Sequence, residues 1–196
     1  MNKGVVSVLV AYLIWGLYPF YFHAMQHVAP TEIVIHRVLW TFALLAVYLF
    51  CSRRWRWIQK AITDRRTVAV FLMSSVLITA NWSTYTYAIV TNQTLEASLG
   101  YFMNPLVSVL LGTVFLKEKL NKAQMLAIVF ACAGVMWVTF KQGEFPALGL
   151  TLALSFGFYG LVRKMAPLGS LEGLTLETAF AFPVALLATF YFAGNG

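Results

Sequence analysis

The chain has 196 residues, of which 60% are hydrophobic and only 11% are charged. Soluble domains carry about 25% charged residues, so this composition excludes an ordinary water-soluble fold. The net charge of +7 raises the question of nucleic-acid binding. Twelve of the 14 basic residues, however, fall in alternate loops between apolar segments, which is typical of a membrane protein and argues against a nucleic-acid partner.

Seven long, mostly uncharged segments follow one another along the chain. A bilayer core requires about 20 mostly apolar residues in a helix that rises ~1.5 Å per residue. The predicted spans are 4–22, 31–51, 67–90, 94–116, 123–140, 146–163 and 172–193. They predict an all-α, polytopic transmembrane helix bundle that has the lipid bilayer as its solvent. Because basic loops are retained in the cytoplasm, the N-terminus is predicted to lie inside.

The one sizeable loop on the predicted cytoplasmic side covers residues 52–66. Within it Trp55, Ile58 and Ile62 recur at helical spacing among basic residues, which is compatible with a short helix lying in the membrane plane. The simpler interpretation is a positively charged anchor with an interfacial tryptophan, and this is the one that we prefer. Arg163 and Lys164 are likewise counted as basic loop residues after the sixth span.

A weak internal repeat is visible in the sequence. A shift of 140 residues places Glu32 on Glu172 and Arg37 on Glu177, and a shift of 141 places Gly16 on Gly157 and Tyr18 on Tyr159. The shift spans five helices, an odd number, so the second copy would insert upside down. We therefore predict one five-helix repeat over 1–140 and two helices of an inverted repeat over 141–196. A complete second copy would end near residue ~280, so the chain is interpreted as truncated.

Arg37 is the most costly residue in the apolar segments. It lies about six residues into the second span, which places it ~10 Å from the outer face. Arginines at such depth normally face a bundle interior or a water-filled cavity, although snorkelling to the headgroups is the alternative. Glu96, at the same face, is the predicted partner, and Glu32, one turn away on the same helix, is the rival.

Polar groups also interrupt the third and fourth spans. Asn81 and Trp82 lie near the middle of the third span, and Asn104 and Pro105 near the middle of the fourth. Pro105 has no N–H, so the carbonyl of Tyr101 loses its helical partner and the backbone there is predicted to line a cavity. Interhelical hydrogen bonding is an equally good explanation of both asparagines.

Further candidates for a substrate pathway lie on the first, sixth and seventh spans. Trp15 and Tyr18 lie beside Pro19, and Tyr159 lies between Gly157 and Gly160. Aromatic side chains next to helix-loosening residues could line a pathway, or they could be ordinary interfacial and packing residues.

Glu177 lies as deep from the inner face as Arg37 does from the outer one. It is interpreted either as a proton-titrating or substrate-contacting group, or as a buried acid that is paired with a helix absent from this chain. The pattern of His, Cys, Asp, Glu and Ser residues contains no enzyme, metal or nucleotide motif, so neither catalytic residues nor a cofactor are predicted.

Five short strings in the chain are distinctive: residues 11–16 (AYLIWG), 36–37 (HR), 80–82 (ANW), 95–106 (LEASLGYFMNPL) and 116–120 (LKEKL). They resemble RarD-type permeases of the EamA family, in the drug/metabolite transporter superfamily. The resemblance implies ten helices in two inverted five-helix repeats, a bacterial inner-membrane location, a small-molecule substrate and no catalytic residues.

These observations favour a secondary transporter, with export as the expected direction, in which two repeats rock around a central cavity. The pathway residues would be those singled out above: Trp15, Tyr18, Arg37, Asn81, Trp82, Glu96, Tyr101, Asn104, Pro105, Tyr159 and Glu177. A membrane-embedded enzyme acting on lipid is disfavoured because polar residues do not cluster at an interface. A non-transporting subunit that depends on a partner remains the alternative, and assembly as a homodimer is left open.

Overall fold

The computed structural model describes residues 3–53 and 55–195, and within these residues all regular secondary structure is α-helical. The helices are α1 (Lys3–His23), α2 (Pro30–Ser52), α3 (Arg56–Thr63), α4 (Arg65–Val90), α5 (Thr94–Phe115), α6 (Lys122–Gln142), α7 (Ala147–Lys164) and α8 (Ser170–Asn195). Each predicted span corresponds to one of the long helices. The prediction of an all-α transmembrane bundle is confirmed.

Six of the described helices, namely α1, α2, α4, α5, α6 and α8, are long and apolar enough to cross a membrane. The remaining long helix, α7, has 18 residues and ends in Arg163 and Lys164. Helices α4 and α5 pack against α7 and bury one of its faces, which includes Gly149, Ala153 and Gly157. Neighbouring protein can satisfy polar groups on that face.

Helix ends are set by capping residues in the connections. The Asp64 carboxylate accepts hydrogen bonds from backbone N–H groups in the first turn of α4, including that of Thr67 (3.1 Å). Asn121 and Gln124 form a reciprocal capping box at the start of α6, and Gly143 ends α6 with a φ of 73°. A residue with a side chain is strained at such a φ, so glycine suits this helix end.

The loop after α2 contains a helix, which corrects our preference for a simple charged anchor. Helix α3 packs its apolar side against the bundle, with Ala61 buried and Trp57 beside it. Their neighbours are Phe71 on α4 and Leu176 on α8. The interfacial helix forms because this packing stabilises a segment that is too short to be helical on its own.

Helices α5 and α7 run in the same direction and approach closely through glycines. A Cβ atom built on Gly100 would lie 3.0 Å from the carbonyl oxygen of Gly149 and 2.9 Å from Cβ of Leu152. One built on Gly157 would lie 2.6 Å from Cγ1 of Val107. Small residues at these positions therefore allow backbone contact along the helix pair.

Helices α2 and α8 pack antiparallel across the bundle. The rings of Phe42 and Phe182 are in contact, with 4.6 Å between their centroids. Ile35, earlier in α2, shares a surface depression with Thr189, later in α8. Because an earlier residue of α2 lies beside a later residue of α8, the two helices are antiparallel.

The bundle has a buried cluster at each end. The "α3 end" contains Ala61, Phe71 and Leu176, against which Trp57 and Phe180 pack. The other end, which we call the distal end, holds the α1–α2 and α4–α5 connections and is filled mainly by these buried residues: Phe22, Ile33, Tyr85, Ala88, Ile89, Ala97 and Leu152. Each cluster draws on several helices, so both ends are held by packing between helices.

Candidate functional site

A first group of polar and aromatic side chains surrounds Arg37 toward the distal end. We call Tyr18, Arg37, Trp82, Tyr85 and Tyr101 the Arg37 cluster. The guanidinium carbon of Arg37 lies 4.1 Å from the centroid of the Trp82 ring and 6.0 Å from that of Tyr18. The rings of Tyr85 and Tyr101 meet edge to face at 5.9 Å, and both tyrosines are within electrostatic reach of the guanidinium. Helices α1, α4 and α5 therefore supply an aromatic surround for a cation on α2.

Arg37 does not form the ion pair that the sequence predicts. The Glu96 carboxylate accepts a hydrogen bond from the backbone N–H of Leu148 (3.1 Å), and Glu32 is exposed in the first turn of α2. Neither acid forms an ion pair with Arg37 in the described structure. The predicted pairing with Glu96 is wrong, because the start of α7 has N–H groups without helical partners and one of them takes up the carboxylate.

The two intramembrane asparagines make contacts within the bundle. The Asn81 side chain donates hydrogen bonds to the carbonyl of Leu152 and to Oγ of Ser155, both at 3.1 Å. Asn104 accepts a hydrogen bond from Ser108, one turn along the same helix (3.5 Å). The contacts of Asn81 are those of an interhelical link between α4 and α7. A role for either asparagine in a substrate pathway stays a prediction.

Two other predicted pathway residues lie on the outside of the described bundle. Trp15 is 51% exposed, and its ring packs on Tyr12 of the same helix at 5.8 Å. Pro105 lies inside α5 and is exposed. The structure therefore does not bring Trp15 or Pro105 together with the Arg37 cluster.

A second group, toward the α3 end, surrounds Glu177. We call Phe71, Ser74, Tyr159, Arg163 and Glu177 the Glu177 cluster. The glutamate is only 1% exposed. Its carboxylate accepts hydrogen bonds from Ser74 (2.6 Å) and from the Tyr159 hydroxyl (3.3 Å), and Nε of Arg163 lies 3.6 Å away. Glu177 is thus a buried and paired acid, but the expectation that its partner lies on a helix absent from this chain is wrong, because its partners lie on α4 and α7.

Arg163 is held from several sides. Its guanidinium lies 5.1 Å from the Phe71 ring centroid and donates a hydrogen bond to the carbonyl of Gly169 (3.0 Å). A Cβ atom on Gly173 would lie 1.9 Å from Nη1 of this arginine, so a side chain at that position would displace the guanidinium. Ser75 adds a hydrogen bond to the backbone carbonyl of Glu177 (2.6 Å). The cluster is therefore a fixed, solvent-shielded ion pair.

Sequence reasoning missed Tyr85, Ser74 and Arg163. Tyr85 lies three residues after Trp82, and Arg163 lies four residues after Tyr159, so each shares a helix face with a residue that was singled out. This spacing was the available signal. Arg163 was instead counted as a loop residue because it lies in the last turn of α7.

The repeat that the sequence predicts relates two residues of one cluster to two residues of the other. Tyr18 and Tyr159 match at a shift of 141 residues, and Arg37 and Glu177 match at 140. In each cluster the tyrosine contacts the charged residue, through its ring face in one and through its hydroxyl in the other. The two clusters are therefore similar in composition and opposite in charge, and their equivalence under a repeat stays a prediction.

The phenylalanine contact between α2 and α8 fits the same relation. Phe42 and Phe182 are also separated by 140 residues, so two equivalent positions touch each other. Arg37 and Glu177 each precede their phenylalanine by five residues, or ~7.5 Å along a helix. A contact between equivalent residues of antiparallel helices is the expected geometry at a two-fold axis.

Nothing in the described side chains resembles a metal centre, since no three His, Cys, Asp or Glu residues there are grouped closely enough to share an ion. Both clusters combine one charged group with aromatic rings and hydroxyl groups. Such arrangements bind and orient charged or polar organic groups, and they do not supply an activated nucleophile.

Comparison with known proteins identifies the family. Residues 2–140 match the model of the EamA-like transporter family. The chain is 42% identical over 188 residues to "Uncharacterized transporter YojE" of Bacillus subtilis (strain 168), covering 94% of this chain and 63% of that protein. It is 40% identical over 194 residues to "Protein RarD" of Salmonella typhi, covering 99% of this chain and 66% of that protein.

A more distant relative is "Chloramphenicol-sensitive protein RarD" of Pseudomonas aeruginosa, at 29% identity over 194 residues, covering 97% of this chain and 65% of that protein. No solved structure matches the chain. The chain spans slightly less than two thirds of the length of the curated relatives it matches. The family match over 2–140 and the RarD relatives along nearly the whole chain together show that this protein belongs to the EamA-like transporter family, as a RarD-type member.

Proposed function

We propose that the protein acts as a secondary transporter of small organic solutes in the bacterial inner membrane, with export as its direction. The observation that carries this proposal is the pair of equivalent clusters, one shielded and paired and the other partly exposed and without an acidic partner. A carrier that works by alternating access has to close one end of its pathway while the other is accessible.

The repeat supports this mechanism. With an inverted repeat over 1–140 and 141–196, Arg37 and Glu177 lie on opposite sides of the midplane. Basic residues collect in the loops at the α3 end, so that end faces the cytoplasm if positive residues are retained there. The described conformation is then closed toward the cytoplasm, at Glu177, and accessible from the outer side, at Arg37.

Glu177 is the residue at which to test proton coupling. Glu96, the other candidate, accepts a hydrogen bond from the backbone N–H of Leu148 and so acts as a helix cap. Glu177 instead forms an ion pair with Arg163 across two helices. Protonation of Glu177 would remove the attraction for Arg163 and loosen the contact between α7 and α8.

A vesicle experiment tests the proposal. The chain would be expressed in bacteria, and inverted membrane vesicles would be screened with a panel of labelled organic solutes, with and without a pH gradient. We expect gradient-dependent accumulation of at least one solute, lost in Arg37→Ala and Glu177→Gln and retained in Glu144→Gln, whose glutamate is exposed in the α6–α7 connection. Equal accumulation in empty-vector vesicles would overturn the proposal and favour the partner-dependent subunit.

A further inference from the structure

All seven acidic residues of the chain can be located, and none neutralises Arg37. Glu177 pairs with Arg163 and Glu118 with Lys164, while Asp64 and Glu96 accept hydrogen bonds at the starts of α4 and α7. Glu172 accepts a hydrogen bond from the N–H of Gly169, and Glu32 and Glu144 are exposed. The Arg37 cluster therefore carries one uncompensated positive charge within the apolar part of the bundle.

The aromatic rings beside the guanidinium shape what it can bind. Trp82 and Tyr18 present their ring faces to Arg37, so their negative π-surfaces already interact with a cation. These contacts engage the charge of the guanidinium and not its N–H donors, and the edge of a guanidinium matches a carboxylate with two parallel hydrogen bonds. The charged centre of the cluster is thus suited to a planar anion.

Tyr85 and Tyr101 extend the cluster with ring surface. Tyr85 is buried, whereas Tyr101, whose ring meets it at 5.9 Å, is 59% exposed. An exposed ring continuous with a buried one offers a flat apolar surface that a ligand can reach. A flat ring attached to the anion could stack there, since offset and edge-to-face aromatic contacts are favourable.

We propose that the Arg37 cluster binds an organic carboxylate that carries a flat ring, as the monoanion. The inference rests on the proposed function and deepens it by naming the substrate class. Cations are excluded by the charge of Arg37 and by the prior occupation of the two ring faces. A zwitterion gains less than a simple anion, because its ammonium group finds no acidic partner in the cluster.

Binding can be measured without transport. The chain in nanodiscs of zwitterionic lipid would be dialysed against labelled 1-naphthoate, 1-naphthylmethylammonium or 2-naphthol, with empty nanodiscs as the background. We expect naphthoate to bind about tenfold or more tightly than either other probe, since one charge-assisted bidentate contact is at stake. Arg37→Gln should lose this preference, Arg37→Lys should retain part of it, and Arg56→Gln, which removes an exposed charge on α3, should retain all of it.

The preference of the wild-type protein tests the inference even if Arg37→Gln fails to fold. Equal binding of the three probes, or preference for the ammonium, would overturn it, as would full naphthoate binding in a folded Arg37→Gln variant. Transport of neutral or cationic solutes that is indifferent to Arg37 would contradict this inference and leave the proposed function standing. Arg37-dependent naphthoate binding in a chain that transports nothing would support this inference and contradict the proposed function.

Discussion

The Arg37 and Glu177 clusters hold opposite charges in different surroundings. Glu177 is fully enclosed and has three polar side-chain partners, Ser74, Tyr159 and Arg163. Arg37 is half-buried and has aromatic rings where the glutamate has hydrogen-bonding groups. A fully buried charge requires polar partners, whereas a partly accessible guanidinium tolerates their absence because water or a ligand can still reach its N–H groups.

This difference separates a fully paired charge from an accessible one without an acidic partner. Breaking the pair at the α3 end should cost stability, because it leaves a charge buried without compensation. Changing Arg37 should cost little stability and should alter binding instead. Stability measurements on variants of the two clusters can test this separation.

Glu177→Ala should destabilise the protein by about 3–5 kcal/mol, because it strands Arg163, which is only 16% exposed, without its acid. Unfolding in mixed micelles titrated with sodium dodecyl sulfate would measure the change. Glu144→Ala, at an exposed position, is the matched control and should be neutral. A double variant, Glu177→Leu with Arg163→Met, should recover most of the lost free energy, and failure to recover would show that the ion pair is not the source.

Gly173→Ala should destabilise by about 1–3 kcal/mol, because the new methyl group would overlap the Arg163 guanidinium and displace it from Glu177. Gly160→Ala is the control, since a Cβ atom there meets nothing within 4 Å. That change should be neutral or slightly stabilising in a helix. Equal melting temperatures for the two variants would argue that Arg163 has room to move and does not seal the α3 end.

Arg37→Ala should cost about 1 kcal/mol, the loss of its stacking on Trp82 and Tyr18. The comparison to make is with Arg163→Ala under the same unfolding conditions, which should cost about 3–5 kcal/mol. The intrinsic fluorescence of Trp82 should also change, as the cation over its ring is removed. A loss as large as that of Arg163→Ala would mean that Arg37 has an acidic partner after all.

Asp64→Asn should have the smallest effect on stability, and that effect should depend on pH. Hydrogen bonds from the side chain and backbone of Thr67 hold the pKa of this carboxyl below its usual value. Since the folded pKa is the lower one, the stabilisation is present above the usual Asp pKa of about 3.9 and is lost as pH falls through the folded pKa. Hydrogen exchange in the first turn of α4 should rise at acid pH relative to its intrinsic rate, and Asp64→Asn should abolish that dependence. An unchanged profile in Asp64→Asn would exclude the cap as its source.

Most of the fold could be predicted from the sequence, because lipid imposes a simple pattern. Runs of apolar residues long enough to cross a bilayer have few alternative structures, so the long helices begin and end close to the predicted positions. Helix α3 was underestimated because its stability comes from Trp57 and Ala61 packing on α4 and α8. Contacts between distant segments are not visible in local spacing.

The candidate sites were only half predictable. The cost of a charge in an apolar span identified Arg37 and Glu177, but it does not reveal which partner a charge selects. The Glu96 carboxylate accepts a hydrogen bond from the N–H of Leu148 instead of pairing with Arg37. The sequence does not reveal this bond, because it depends on α5 and α7 being neighbours. Arg163 was missed because a long side chain can reach back into the bundle from a helix end.

The α5–α7 contact has a consequence for how the protein could move. The two helices touch through Gly100 and Gly149, and they are joined near one end by Glu96 and near the other by the pair of Glu118 with Lys164. Yet α5 falls in the first proposed repeat and α7 in the second. A rearrangement that separates the repeats as rigid blocks would have to break the contact between α5 and α7. With repeats at 1–140 and 141–196, the unit of motion would differ from the unit of duplication, and α7 would move together with α5 of the other repeat.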